Sequence, residues 1–254
     1  MAHSRHPIQP LNYRSLFLLP LLLVGLSCSS RLPQQSSAPR VVGVVEFVGG
    51  NLTGPVAKLQ LADWWNSKLK VAPPDAYDFL TNTNGQDRIN VETCRQYTNA
   101  IHQGAYAPTS AGMVTEVGFV RAAATLRFME QAKSSTQGLA DDCLSRLPVS
   151  VVGWNGSDEH ERMNRDTSNG LTLNDYARLR KLSRWKQAAH MLTFQTDAKS
   201  FAVEVLARGD WDGDGTEDAL VAVTWHYREG SGFGYEVHVV RRSVSGSLLQ
   251  LSRP

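Results

Sequence analysis

The sequence predicts an α+β fold, in which a helical N-terminal part is followed by an antiparallel β-meander with a calcium-type loop between two strands. Between residues 59 and 189, apolar residues recur mostly at helical spacing. From residue 190 onward, short segments rich in residues that favour β-strands follow one another. Polar or glycine-rich turns separate these segments, and such short connections favour antiparallel neighbours. Helices that precede strands are typical of the α+β class.

Composition indicates a packed globular protein without a nucleic-acid partner. Hydrophobic residues make up 42% and charged residues 20% of the 254 positions. There are 26 Lys and Arg residues against 24 Asp and Glu residues, and two of the basic ones, Arg5 and Arg14, lie in the N-terminal leader. The remaining chain is formally neutral, whereas nucleic-acid binders usually carry a strong basic excess.

Residues 1–27 have the pattern of a signal peptide. Arg5 and Arg14 supply the positive end, and the stretch Leu16–Leu26 is almost unbroken in its apolar character. Its length of about 11 residues fits a signal-peptide core and is short of the ~20 residues that span a bilayer.

The stretch Val24-Gly25-Leu26-Ser27-Cys28 resembles a bacterial lipobox. The resemblance implies cleavage before Cys28, lipidation of Cys28 and, because Ser29 follows it, an outer-membrane location facing the periplasm. Acyl chains on Cys28 would then anchor the protein to the membrane, at about 0.8 kcal/mol per buried methylene. The alternative is an ordinary secretory leader with a chance cysteine.

The remaining chain divides into three regions. Residues 28–40 are rich in Ser, Pro and Gln and predict a flexible tether. Residues 41–190 predict a mainly helical region, and residues 191–254 predict the antiparallel β region. The elements expected in order are a strand at 41–48, helices at 59–70, around Cys94, at 113–133 and from Thr172 to about Ala189, and strands at 191–195, 201–207, 219–227, 235–242 and 248–251.

Two cysteines remain if Cys28 carries lipid. An even pair in an oxidising compartment predicts a disulfide, here between Cys94 and Cys143. It would close a loop of about 50 residues and contribute roughly 3–5 kcal/mol in the chain-entropy model. Two buried free thiols are the alternative.

The sharpest motif is an aspartate-rich loop. Its sequence is Asp210-Trp211-Asp212-Gly213-Asp214-Gly215-Thr216-Glu217-Asp218. Carboxylates at alternate positions converge when the backbone coils around an ion, and Gly215 permits the sharp turn. The predicted ligands are the carboxylates of Asp210, Asp212, Asp214 and Asp218 and the backbone carbonyl of Thr216. Without His or Cys nearby, the oxygen set favours Ca²⁺ over Zn²⁺.

The first six residues of the loop resemble an EF-hand loop, but Val221 occupies the position where an EF-hand has a bidentate Glu. The flanking segments also predict strands instead of helices. The loop resembles more closely the calcium loop that lies between strands in FG-GAP repeats. A solvated acidic turn is the alternative, and a single copy gives no support for a propeller.

Other polar and aromatic groups give weaker signals. His226, His238 and Glu236 could form an acid–base site, but sheet-surface histidines are more common. The cluster 158–161 is read as a polar helix start, the basic run between Arg178 and Lys186 as a solvated helix face, and Trp64-Trp65 as core packing.

The sequence therefore favours a calcium-binding envelope lipoprotein that acts as a non-catalytic binding or scaffold module. The partners expected are the membrane, through the lipid anchor, and an envelope protein or glycan. No Gly-x-Ser-x-Gly, His-Glu-x-x-His or phosphate-loop motif is present in the sequence. The absence of these motifs favours a protein that is not an enzyme, without excluding one. An envelope hydrolase with dispersed catalytic residues and a purely structural surface lipoprotein remain as alternatives.

Overall fold

A computed structural model describes residues 36–71, 77–140, 142–151, 157–179, 181–230, 232–242 and 249–252. The predicted signal peptide, the lipidation site Cys28 and most of the predicted tether lie outside these residues. No helix in the described part combines the length and the apolar character needed to cross a membrane.

The fold is α+β, with an antiparallel sheet as its centre. The strands are β1 (Arg40–Phe47), β2 (Gly50–Pro55), β3 (Leu80–Thr81), β4 (Arg88–Ile89), β5 (Ser183–Ala188), β6 (Met191–Gln195), β7 (Lys199–Gly209), β8 (Asp218–Tyr227), β9 (Phe233–Arg242) and β10 (Leu249–Ser252). The helices are α1 (Lys58–Asn66), α2 (Cys94–His102), α3 (Ser110–Gln131), α4 (Ser157–Ser168) and α5 (Leu173–Arg178), with 3₁₀ turns at Cys143–Arg146 and Val149–Val151.

The first and the last of the described strands lie in one sheet. The sheet has eight strands in the order β10-β9-β8-β7-β1-β2, and the β5–β6 hairpin pairs with β7 next to β1. Arg40 pairs with Arg208 and Val41 with Ala207, so β1 and β6 share one edge of the long strand β7. The predicted separation into a helical part followed by a strand part is therefore not confirmed, because β1 and β2 precede the helices.

Both faces of the central strands are buried. On β8, Leu220 and Ala222 belong to a hydrophobic cluster with α1, α2 and α3, whereas Val221 and Val223 belong to a second cluster with α5 and the 3₁₀ turns. Neighbouring residues of a strand point to opposite faces of the sheet, so the two clusters lie on opposite sides. This explains the unbroken apolar run that follows Asp218 in β8, from residue 219 to residue 223.

The predicted helix from Thr172 to about Ala189 is wrong in its second half. Thr172 and Asp175 form the expected capping box at the start of α5. The helix ends at Arg178, and the residues that follow form β5, which pairs with β6. Pairing with β6, the next strand along the chain, outweighs a weak local helical preference here. The basic run is consequently split between a helix end and a strand.

The predicted Cys94–Cys143 disulfide does not form in the described structure. Both residues are buried, but Cys94 lies in the cluster with α2 and α3, and Cys143 lies in the cluster on the other face of the sheet. The sheet between them keeps the two sulfurs apart, and a disulfide requires Cα atoms within about 7 Å. Burial also raises the pKa of the Cys94 thiol to about 12.

We expect both thiols to be protected in the native protein and reactive after unfolding. Alkylation without reductant, followed by peptide mapping, should modify Cys94 and Cys143 slowly in buffer and completely in denaturant. A sample reduced before alkylation is the control and should give the same modification in denaturant. If the peptides that contain Cys94 and Cys143 were modified only after reduction, the two cysteines would form a disulfide after all.

Candidate metal centre

The aspartate-rich loop joins β7 to β8, and the strand pairing holds its two ends together. Gly209 pairs with Asp218 at the last register position of the two strands. Asp210 and Asp218 are buried, while the side chain of Asp212 is about one third exposed at 33%. The loop therefore begins and ends in the interior and projects its middle outward.

Turns inside the loop bring its carboxylates together. Gly213 and Gly215 have φ angles of +82° and +86°, which glycine adopts at little cost. The backbone N–H groups of Gly213 and Gly215 donate to the two carboxylate oxygens of Asp210 at 2.7 and 3.0 Å. The N–H of Trp211 donates to Asp218 Oδ2 at 2.8 Å. Asp210 thus organises the loop backbone around its own side chain.

Three of the predicted ligands converge. Carboxylate oxygens of Asp210, Asp212 and Asp218 all lie within 4.8 Å of one another. This group could hold a metal ion. Asp214 is not part of the group, and one of its carboxylate oxygens accepts from the N–H of Thr216 at 2.7 Å. The carbonyl of Thr216 remains a predicted ligand.

Like charge and burial make the group costly without a counterion. Burial raises the pKa of Asp218 to about 7, and the carboxylates of Asp212, Asp214 and Asp210 add to the rise. From β9, Arg241 Nη1 donates to Asp212 Oδ2 at 2.9 Å and supplies one positive charge. A divalent cation between the carboxylates would remove the remaining repulsion.

A second segment, residues 132–139 after α3, fixes the loop from the side. Lys133 and Asp210 exchange backbone hydrogen bonds of 2.7 and 2.9 Å. The carbonyl of Gly215 accepts from the N–H groups of Thr136 and Gln137 at 2.8 and 3.1 Å. These contacts hold the loop backbone in place independently of any ligand.

Glu217 is the residue that sequence reasoning missed. Its side chain is buried, Oε1 lies 2.9 Å from Arg40 Nη1, and Oε2 lies 3.2 Å from Arg208 Nη1. Oε2 also accepts from the N–H of Leu139 at 3.2 Å. The motif gave no signal for this role, because a charged residue between loop ligands normally faces solvent. Only the fold shows that Glu217 points inward.

The weaker signals do not form a catalytic cluster in the described residues. His238 Nε2 lies 3.1 Å from Glu236 Oε2 on β9, but His238 pairs with Val221 whereas His226 pairs with Phe233. Five residues of strand, about 17 Å, separate the two pairs. The 158–161 cluster lies in α4, and Trp65 is buried with its indole N–H donating to Glu130 at 2.6 Å.

Comparisons of this chain with protein-family models, with curated proteins and with solved structures gave no match.

We expect Glu217→Ala to destabilise the metal-free protein strongly. The substitution leaves the buried Arg208 guanidinium without its carboxylate partner, and such a loss costs about 3–5 kcal/mol. Urea unfolding in the presence of a chelator measures the free energy of unfolding. Glu46→Ala is the matched control, because Glu46 makes an exposed pair with Lys70 at 3.0 Å and should cost less than about 1 kcal/mol. Equal losses in the two variants would contradict the role of Glu217.

Proposed function

We propose that this protein is a calcium-binding lipoprotein of the bacterial cell envelope that acts as a non-catalytic binding or scaffold module. The observation that carries the calcium assignment is the convergence of Asp210, Asp212 and Asp218 within 4.8 Å at a turn that the fold holds in place. The observation that carries the location is the lipobox-like stretch that ends at Cys28.

The chemistry of the group favours Ca²⁺ among divalent cations. All its ligands are carboxylate oxygens, which Ca²⁺ takes in sets of six to eight with tolerant geometry. Mg²⁺ demands a tighter octahedron and retains several waters. The carbonyl of Thr216 and the carboxylate of Asp214 are close in sequence and would complete the oxygen set after a small rearrangement of the exposed loop.

A bound ion would serve the structure of the sheet. The loop connects β7 to β8, its backbone pairs with segment 132–139, and Arg241 links it to β9. An ion at the three carboxylates would therefore stabilise several elements at once. When Ca²⁺ binds only the folded state, saturation at 100 times its dissociation constant adds about 2.7 kcal/mol to the free energy of unfolding.

Isothermal titration calorimetry of the full chain should show Ca²⁺ binding, and Asp212→Asn should weaken it at least about tenfold, or about 1.4 kcal/mol. Asp214→Asn should weaken binding less, because its carboxylate lies outside the group of three. Glu229→Gln removes the same charge from an exposed turn and should leave affinity unchanged. Absence of binding heat together with an unchanged melting temperature in excess Ca²⁺ would exclude the calcium site.

Lipidation is tested separately from calcium binding. Bacteria that express the chain and are fed an alkyne fatty acid should label it, and the label should disappear in Cys28→Ser. Cys94→Ser is the control, because Cys94 is buried in the described structure and should not affect labelling. Labelling that persists in Cys28→Ser, or release of the wild-type chain without lipid, would contradict lipidation at Cys28. The alternative of an ordinary secretory signal peptide would then remain.

A further inference from the structure

One part of the sheet surface is not covered by any helix of the described residues. Helix α3 crosses one face of the sheet at Glu204, where Arg121 donates to both carboxylate oxygens of Glu204 at 2.6 and 2.7 Å. Beyond Glu204, towards the start of β7, strand pairing places two rows of side chains on the same face. The rows are Thr193, Ala202, Thr224 and Tyr235, and Gln195, Ser200, His226 and Phe233.

The side chains of this surface are polar and basic. A depression of about 380 Å³ on this surface is lined by Arg184 and Lys186 from β5, by Thr193, Gln195, Ser200, Ala202, Thr224 and His226 from the rows, and by Phe194 and Phe201. We call this surface the basic face; its residues are Arg184, Lys186, Thr193, Gln195, Ser200, Thr224 and His226. No carboxylate is among the described residues that line it. Glu204, two residues beyond Ala202 on the same face of β7, forms an ion pair with Arg121.

Arg184 reaches this surface from a strained backbone. Its φ angle is +49°, the only left-handed value for a non-glycine among the described residues. It lies at an irregularity in the β5–β6 pairing, between Ser183 and Lys186. A β-bulge changes the direction of a side chain. A sparsely populated backbone conformation costs about 1–3 kcal/mol per residue, and such conformations occur most often at functional sites.

We propose that the basic face binds an acidic polysaccharide, a glycan chain that carries carboxylate, sulfate or phosphate groups. Two permanent cations at the β5 edge complement its charge, and hydroxyl and amide groups across β6, β7 and β8 match sugar hydroxyls. Phe233 continues the second row on β9, beside the depression, and its half-buried ring could contact the apolar face of a sugar. The four strands from β6 to β9 span about 14 Å, enough for an extended chain instead of a single ion.

This inference deepens the proposed function, since it names the ligand class of the binding module, but it does not depend on calcium. The aspartate loop follows Gly209 at one end of β7, and the basic face lies near Ser200 at the other end. Nine residues of strand separate them by about 30 Å. Failure of glycan binding would therefore leave the calcium proposal standing.

The test uses biolayer interferometry with the full chain in detergent and immobilised polygalacturonate, dextran sulfate and neutral dextran, in the presence of a chelator. We expect both acidic glycans to bind and neutral dextran to bind at least about tenfold more weakly. Arg184→Gln with Lys186→Gln should reduce acidic-glycan affinity at least about tenfold. Raising the salt concentration should weaken binding to the wild type, because exposed charges are screened.

The matched control removes two exposed basic charges elsewhere, in Lys70→Gln with Arg88→Gln, and should bind like the wild type. Asp212→Asn should also bind like the wild type. Circular dichroism and melting temperature confirm that each variant folds. Equal loss in the control pair, equal binding of neutral dextran, or binding of inorganic phosphate or anionic phospholipid vesicles without glycan binding would overturn the proposal.

Discussion

The candidate metal centre depends on one buried carboxylate, Glu217, that is not part of the group of three carboxylates. Glu217 bridges Arg40 at the start of β1 and Arg208 near the end of β7, and it accepts from the backbone after α3. A buried charge persists only when it is paired and hydrogen-bonded, so these elements must meet at Glu217. Because Glu217 points inward, the next residue along β8, Asp218, and the preceding loop are held in a fixed relation to the sheet.

The conformation of the aspartate-rich loop accounts for the electrostatics of its carboxylates. Asp210 accepts hydrogen bonds from the loop backbone at both of its carboxylate oxygens. Burial raises the pKa of Asp218 to about 7, although the N–H of Trp211 donates to this carboxylate. Carboxylates are therefore concentrated beyond one end of β7, whereas Arg184 and Lys186 of the basic face lie near the other end. Antiparallel sheets have only small net dipoles, so side chains create this separation of charge.

Local patterns predicted what depends on local chemistry. The turn at Gly215, the helix predicted at 113–133 and the capping box at Thr172 need only neighbouring residues. The structure contains the turn and the capping box, and it has the helix at Ser110–Gln131. The role of Glu217 and the separation of the two cysteines depend on segments far apart in sequence. The β5 strand depends on the pairing of its hairpin partner β6 with β7. Each is decided by burial or pairing in the sheet, which a single sequence does not specify.

The same long-range contacts argue against treating residues 41–190 and 191–254 as independent domains. Strand β1 completes an edge of β7, and segment 132–139 holds the loop between β7 and β8, so each region supplies part of the other's sheet or core. The first described residues lie beside this loop. Ser37 and Ser135 exchange backbone hydrogen bonds of 2.9 and 3.0 Å. The end of the predicted tether is therefore bound to the segment that follows α3. The basic face lies at the opposite end of β7. Ser37, where the described chain meets segment 132–139, and the basic face are therefore separated by most of the length of β7, and a ligand on the basic face would not contact the residues around Ser37.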